Sequence, residues 1–156
     1  MKKNTWARVV LLLYTVFMLL LLFGRKSHGV LGLSYRECLA ANSNFIPLRS
    51  IGAELYVLAY RNDPYLIRYA VTNLFGNVLL FAPFGALLPL CFRRYRGFFK
   101  TVATGALAVF AVEILQLFTL RGCFDVDDLL LNTLGMMLGY GLLRLIKSLK
   151  KGRKTT

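Results

Sequence analysis

Four apolar segments, each long enough to cross a bilayer, constrain the fold of this chain more than any other feature of its sequence. A transmembrane helix needs about 20 predominantly apolar residues, and the four segments span residues 6–23, 70–92, 101–120 and 129–146. Inside hydrocarbon a segment must satisfy its own backbone hydrogen bonds, which a single α-helix does. The sequence therefore predicts an all-α integral membrane protein with four transmembrane helices.

The composition agrees with a membrane protein rather than a basic soluble one. The 156 residues are 57% hydrophobic and carry a net charge of +13. A basic soluble domain would suggest a nucleic-acid partner, but here the apolar segments are too long, and no basic stripe with interleaved aromatic residues is visible. We expect membrane lipids as partners, no nucleic acid, and a single membrane domain that covers residues 1–156.

The basic residues are distributed unevenly between the two sides that four spans create. If both termini are cytoplasmic, thirteen of the twenty Lys and Arg residues lie on the inner side, and none of the seven acids does. These thirteen are Lys2, Lys3, Arg8, Arg93, Arg94, Arg96, Lys100, Arg144, Lys147, Lys150, Lys151, Arg153 and Lys154. The positive-inside rule therefore predicts cytoplasmic termini. Because no Ala-x-Ala-like cleavage site follows the first span, we interpret that span as a retained anchor.

A long outer loop, about residues 25–69, joins the first two spans. Its residues 50–60 are rich in apolar and aromatic side chains, which predicts a short helical segment lying at the membrane interface. The sequence Asn62-Asp63-Pro64 predicts a turn before the second span.

Residue types that often carry catalysis are sparse. His28, the only histidine, is expected to be solvated just after the first span. Cys38 and Cys123 would share the outer side, so a disulfide between them and two free thiols both remain open. Cys91 is expected to face lipid or the core.

Several polar residues fall inside or beside the apolar spans. Glu113 lies within the third span, where a carboxylate costs roughly 2.5 to 3.5 kcal/mol. Other polar residues follow one another at the helical spacing of three or four that places side chains on one face: Glu113 with Gln116, Asn73 with Asn77, Asp125 with Asp128, and Asp128 with Asn132. A shared polar pocket among spans two, three and four, on the outer side, would satisfy all of them.

Three chemistries suit such a pocket. Carboxylates can hold a divalent cation of the Mg²⁺ or Ca²⁺ kind, which takes oxygen ligands; the candidate ligands are Asp125, Asp127 and Asp128. Glu113 with a raised pKa could act as a general acid or base on a lipid-linked substrate. Arg49 and Arg121 could clasp a phosphate group.

Each of these residues also has a purely structural interpretation. Acids at a helix start favour capping, which is worth about 1 kcal/mol. Glu113 could pair with Arg121 or with another outer arginine, such as Arg49 or Arg68. The amide side chains could hydrogen-bond between helices for roughly 0.6 to 2 kcal/mol each.

Small residues and proline shape two of the spans. Gly135 and Gly139 form a small-xxx-small pattern, which allows close contact between helices. Pro83 should kink the second span and free a backbone carbonyl.

Four motifs together resemble those of the VanZ-like family of small bacterial membrane proteins. They are Asn44-Phe-Ile-Pro47, Asn73-Leu-Phe-Gly76-Asn77-Val-Leu-Leu-Phe81-Ala-Pro83-Phe84-Gly85, Glu113-Ile-Leu-Gln116-Leu-Phe-Thr119-Leu-Arg121-Gly122, and Asp125-Val-Asp127-Asp128-Leu-Leu-Leu-Asn132-Thr-Leu-Gly135. The resemblance implies a multi-pass protein of the bacterial cytoplasmic membrane. The founding member lowers susceptibility to the glycopeptide teicoplanin, and no reaction is established for the family.

Three functions are compatible with these features. The first is a protein that lowers susceptibility to teicoplanin-type glycopeptides by binding or altering an outer-leaflet component, such as a lipid-linked cell-wall precursor, or the antibiotic itself. The second is a membrane enzyme that acts on a phospholipid or polyprenyl phosphate through Glu113 and the three aspartates. The third is a scaffold or small transporter.

Overall fold

The computed structural model describes residues 5–24 and 32–152. Within these ranges the chain forms six α-helices: α1 (Thr5–Phe23), α2 (Tyr35–Ala41), α3 (Arg49–Tyr60), α4 (Pro64–Cys91), α5 (Phe98–Phe118) and α6 (Val126–Gly152). Two-residue strands, β1 (Ser43–Asn44) and β2 (Phe124–Asp125), and a 3-10 turn at Arg93–Tyr95 complete the fold. The all-α prediction is confirmed. His28 lies outside the described residues.

Helices α1, α4, α5 and α6 are each long and apolar enough to cross a membrane, as the four apolar segments predicted. Two of them, α4 and α6, extend furthest beyond those segments. Helix α4 begins at Pro64 because the Asp63 side chain caps it, accepting hydrogen bonds from the backbone N–H groups of Tyr65 (2.8 Å) and Leu66 (3.3 Å). Helix α6 continues to Gly152 through a lysine-rich stretch that hydropathy excluded, since lysine is a good helix former.

Helices α4 and α6 form the most extensive contact in the bundle, and glycines make it close. A Cβ added at Gly135 would overlap the backbone carbonyl of Val78, and one at Gly139 would overlap that of Ala82. Gly85 faces the carbonyl of Met136 in the same way. The small-xxx-small prediction is therefore confirmed as a backbone-to-backbone contact. Helix α4 runs on through Pro83 and Pro89 without ending.

Helices α1 and α5 complete the core. Two clusters of buried side chains tie the four long helices together: Ala7, Leu11, Leu88 and Cys91, and then Met18, Phe81, Val109 and Met136. The helices alternate in direction, so α1 and α5 end, and α4 and α6 begin, at one end of the bundle. We call this the α3 end, because α2, α3 and both strands lie there.

The described part of the connection between α1 and α4, residues 32–63, contains one strand of a parallel pair that the sequence did not predict. Ser43 pairs with Phe124 and Asn44 with Asp125. The helix expected at residues 50–60 is confirmed as α3, but α3 packs against α4 and buries Glu54. The three cysteines are free, so the disulfide considered for Cys38 and Cys123 is not formed.

Candidate functional site

Asp127 joins the start of α6 to the start of α3. Its side chain is fully buried, and its carboxylate accepts hydrogen bonds from the backbone N–H groups of Leu48 (2.5 Å), Ser50 (2.8 Å) and Ile51 (3.1 Å). The first N–H groups of a helix have no partner within it, so a carboxylate placed there is favourable. Asp127 therefore caps α3, not α6 as the sequence suggested.

Asp125 and Asn44 fix the strand pair beside this cap. One oxygen of Asp125 accepts from the backbone N–H of Asp127 at 2.8 Å and from the Asn44 amide at 3.0 Å. The Ser50 hydroxyl donates to the other oxygen. Asn44 also donates to the Ser50 hydroxyl oxygen at 3.0 Å. These contacts give both motif residues a role in docking α3.

A second polar group lies between α3, α4 and α6, and we call its four residues the carboxylate–amide cluster: Glu54, Asn73, Asn77 and Asp128. The Asn73 amide donates to Glu54 at 2.7 Å and to Asp128 at 3.2 Å. The Asn77 amide donates to Asp128 at 2.7 Å and to the Asn73 oxygen at 3.4 Å. The two asparagines thus hold two carboxylates close together.

Glu54 is the member of the cluster that sequence reasoning missed. Its side chain is only 7% exposed, and its Oε2 atom has no hydrogen-bond partner among the described residues. Burial raises the pKa of Glu54 to about 7, and the negative charges of Asp128, Asp125 and Asp127 contribute to the rise. The hydrogen bond from Asn73 acts in the opposite direction and lowers the pKa. The only signal in the sequence was an acid inside an otherwise apolar stretch.

Glu54 should make stability depend on pH. Because its pKa is raised from 4.5 to about 7 in the folded protein, the folded state holds a proton that the unfolded state releases, so the free energy of unfolding falls as pH rises through that window. We expect Glu54→Gln to reduce the difference between melting temperatures measured at about pH 5 and about pH 8. Glu37→Gln, at an exposed acid, is the control and should leave that difference in place. An unchanged difference in Glu54→Gln would contradict this assignment.

A cleft of about 580 Å³ opens beside the cluster, between the end of α1 and the first half of α4. Leu20, Leu21, Leu22 and Leu80 supply apolar walls, and Tyr69, Thr72, Asn73 and Asn77 supply polar groups. The two asparagines belong to both the cluster and the cleft. The cleft can therefore hold an apolar chain along α1 while a polar head lies at the amides.

Gln116 and Arg121 hold the end of α1 instead of joining the cluster. The Gln116 amide donates to the Leu22 carbonyl at 2.8 Å, and the Arg121 guanidinium donates to the Phe23 carbonyl at 2.9 Å. The last carbonyls of a helix need such donors. The single pocket predicted among spans two, three and four is therefore corrected: these residues serve α1, a span outside that prediction.

Three other predicted site residues lie on α5, α6 and α3. Glu113 and Asn132 are buried at 5% and 2% exposure on α5 and α6, and the Asn132 Oδ1 atom has no hydrogen-bond partner among the described residues. Arg49 is exposed at the first residue of α3.

The geometry does not support a metal site at the three aspartates. Among the described residues no three His, Cys, Asp or Glu side chains converge as metal ligands. Asp127 is turned to the N–H groups of α3, whereas Asp128 is turned to the amides of α4. Asp125 and Asp127 therefore belong to one hydrogen-bond network and Asp128 to another.

Comparison with known proteins identifies one relationship. The family model described as VanZ/LLP1 matches residues 9–147. No curated protein and no solved structure matches the chain.

Proposed function

Because this chain belongs to the VanZ/LLP1 family, we propose that it is a cell-envelope membrane protein that binds an amphiphile in the cleft beside the carboxylate–amide cluster. The observation that carries the proposal is the continuity of that cleft. Apolar walls from α1 and α4 lead directly to Asn73 and Asn77, whose amides contact Glu54 and Asp128. Lipid binding needs this combination of a chain-binding wall and a polar end.

The charges of the cluster indicate the chemistry of the head group. Glu54 and Asp128 are hydrogen-bond acceptors when ionised, and the Glu54 Oε2 atom lacks a donor among the described residues. A head group rich in hydroxyl or amine donors would supply one. Lipid-linked saccharides, which include cell-wall precursors, have such donor-rich heads.

We propose that the α3 end faces outward in a bacterial cytoplasmic membrane. The opposite end carries Arg93, Arg94 and Arg96 in one short connection and Lys100 in the first turn of α5, and the positive-inside rule places these residues in the cytoplasm. The cleft would then open to the outer leaflet, where glycopeptides meet lipid-linked cell-wall intermediates. Binding such a component would lower susceptibility to teicoplanin-type glycopeptides.

Susceptibility to teicoplanin tests this function in a sensitive bacterium. Wild-type protein should raise the inhibitory concentration, and Asn77→Leu should abolish the increase at matched membrane abundance because it removes the amide shared by the cleft and the cluster. Asn62→Leu, the same change at an exposed residue between α3 and α4, should keep protection. Protection that survives Asn77→Leu, or an unprotected wild type, would contradict the proposal.

Glu113→Gln belongs in the same experiment. Glu113 is buried on α5, whereas the cluster is built from α3, α4 and α6. We expect this variant to retain protection when its abundance matches the wild type. Loss of protection at unchanged abundance would move the site to α5.

A second candidate function is catalysis on a phospholipid or polyprenyl phosphate. In this function Glu54 is a better candidate for the general acid or base than Glu113 and the aspartates are. A carboxyl group with a pKa of about 7 can both donate and accept a proton near neutral pH. This function predicts a changed lipid profile in cells that express the wild type, abolished by Glu54→Gln and retained by Glu37→Gln. Identical profiles with and without the protein would exclude it.

A further inference from the structure

A second cavity lies at the end of the bundle opposite the α3 end, and none of the predicted site residues lines it. It encloses about 330 Å³ and is lined by Pro89, Arg96, Tyr140, Leu143, Arg144 and Lys147. Three of these six residues are cationic. We call it the basic cavity.

The fold brings the three cations together from two elements. Tyr140, Arg144 and Lys147 are spaced by four and three residues along α6, so they share one face of the helix. The Tyr140 hydroxyl donates to the backbone carbonyl of Arg96 at 2.7 Å, and the Tyr140 and Phe98 rings pack edge to face at 5.5 Å. These contacts hold the connection between α4 and α5 against α6, so that Arg96 joins the cavity.

Among the residues that the structure describes, no acidic side chain balances the positive charge of the basic cavity. All seven acids of the sequence belong to other segments: Glu37, Glu54 and Asp63 lie between α1 and α4, Glu113 lies late in α5, and Asp125, Asp127 and Asp128 lie at the start of α6. Three like charges around one cavity repel each other. A bound anion would remove that repulsion and satisfy several N–H donors at once.

Apolar groups also line the cavity. Pro89 and Leu143 form apolar parts of its lining, and Leu142, Leu145, Ile146 and Leu149 are exposed on the other face of α6. Basic pockets between transmembrane helices, bordered by apolar surface, are a common setting for anionic head groups. Arginine in particular offers a planar fork that matches phosphate oxygens.

We propose that the basic cavity binds a phosphate-bearing anion, supplied by the head group of an anionic phospholipid in the leaflet at this end. Arg96 and Arg144 donate to the phosphate oxygens, and Lys147 adds a third charge. The acyl chains extend from the cavity past its apolar lining residues, Pro89 and Leu143. This site does not depend on the function proposed for the cleft, because it lies at the other end of the bundle.

Thermal stabilisation of the purified full-length protein in a neutral detergent tests the site. Phosphatidylglycerol should raise the melting temperature in a saturable way, whereas phosphatidylcholine should have little effect. Arg144→Gln with Lys147→Gln should weaken the apparent affinity roughly 30-fold, since each basic residue near an anionic membrane surface contributes about fivefold. Added salt should weaken the wild-type response because these side chains are exposed.

The control removes the same charge from outside the basic cavity. Arg94→Gln with Lys150→Gln changes two exposed residues at the same end and should weaken affinity much less. If the protein lacking both Arg144 and Lys147 does not fold, the single variant Lys147→Gln is tested instead. Its affinity for phosphatidylglycerol should fall about fivefold. Equal losses in the control and cavity variants, or full affinity without Arg144 and Lys147, would overturn the proposal.

A soluble phosphate compound distinguishes the two sources of the phosphate group, a lipid head group and a free phosphate compound. Inorganic pyrophosphate without lipid should stabilise the wild type far less than phosphatidylglycerol does if a lipid is the ligand. Equal stabilisation that also requires Arg144 and Lys147 would overturn the lipid assignment and leave a free phosphate compound as the ligand.

Discussion

Replacing Gly139 by alanine is expected to destabilise the protein by about 2 kcal/mol or more. The added Cβ would overlap the carbonyl oxygen of Ala82, and overpacking of a well-packed contact costs typically about 1 to 3 kcal/mol, occasionally more. Here the obstacle is backbone, so the two helices would have to separate. Thermal unfolding in detergent and the folded fraction recovered from membranes would both report the loss.

Gly141 provides a control two residues away on the same helix. Nothing lies within 4 Å of a Cβ added there, and alanine is a better helix former than glycine by about 1 kcal/mol. Gly141→Ala should therefore be neutral or stabilising. A similar effect of the two substitutions would contradict the close contact between α4 and α6.

Asp127→Asn is expected to destabilise the fold by about 1 to 3 kcal/mol for each backbone N–H group that is left without an acceptor. The carboxylate accepts from three backbone N–H groups at the start of α3. An asparagine keeps the volume but places an amide donor against these donors. Helix α3 should detach, which limited proteolysis between residues 45 and 60 would detect.

Asp63→Asn serves as the matched control for a capping acid. Asp63 caps α4 but is exposed, so its loss should cost only about 1 kcal/mol. If Asp127→Asn were no worse than Asp63→Asn, the buried cap would not be what anchors α3.

The features that could be predicted from the sequence are those that depend on local pattern. Apolar length placed the four long helices, and Asp63-Pro64 marked the start of α4, since Pro at the first helical position follows its preferred geometry. Glycine spacing identified the face of α6 that contacts α4. Each of these signals lies within a few residues of the structure it specifies.

Contacts between distant segments could not be predicted in the same way. Asp127 looked like a cap for α6 because it follows the start of that helix, yet its partners are 76 to 79 residues away. Glu54 looked like a polar residue of an interfacial helix, and only the docking of α3 onto α4 buries it. The two strands that align Asn44 with Asp125 are each two residues long. That is too short for the alternation of side chains that identifies a strand in a sequence.

The central claim is that the cleft binds a lipid through the amides of Asn73 and Asn77, and native mass spectrometry of the full-length protein tests it most directly. Wild-type protein should retain a glucosylated diacylglycerol in preference to phosphatidic acid, Asn77→Leu should lose that preference, and Asn62→Leu should keep it. Equal retention of the glycolipid by wild type and Asn77→Leu would contradict the claim.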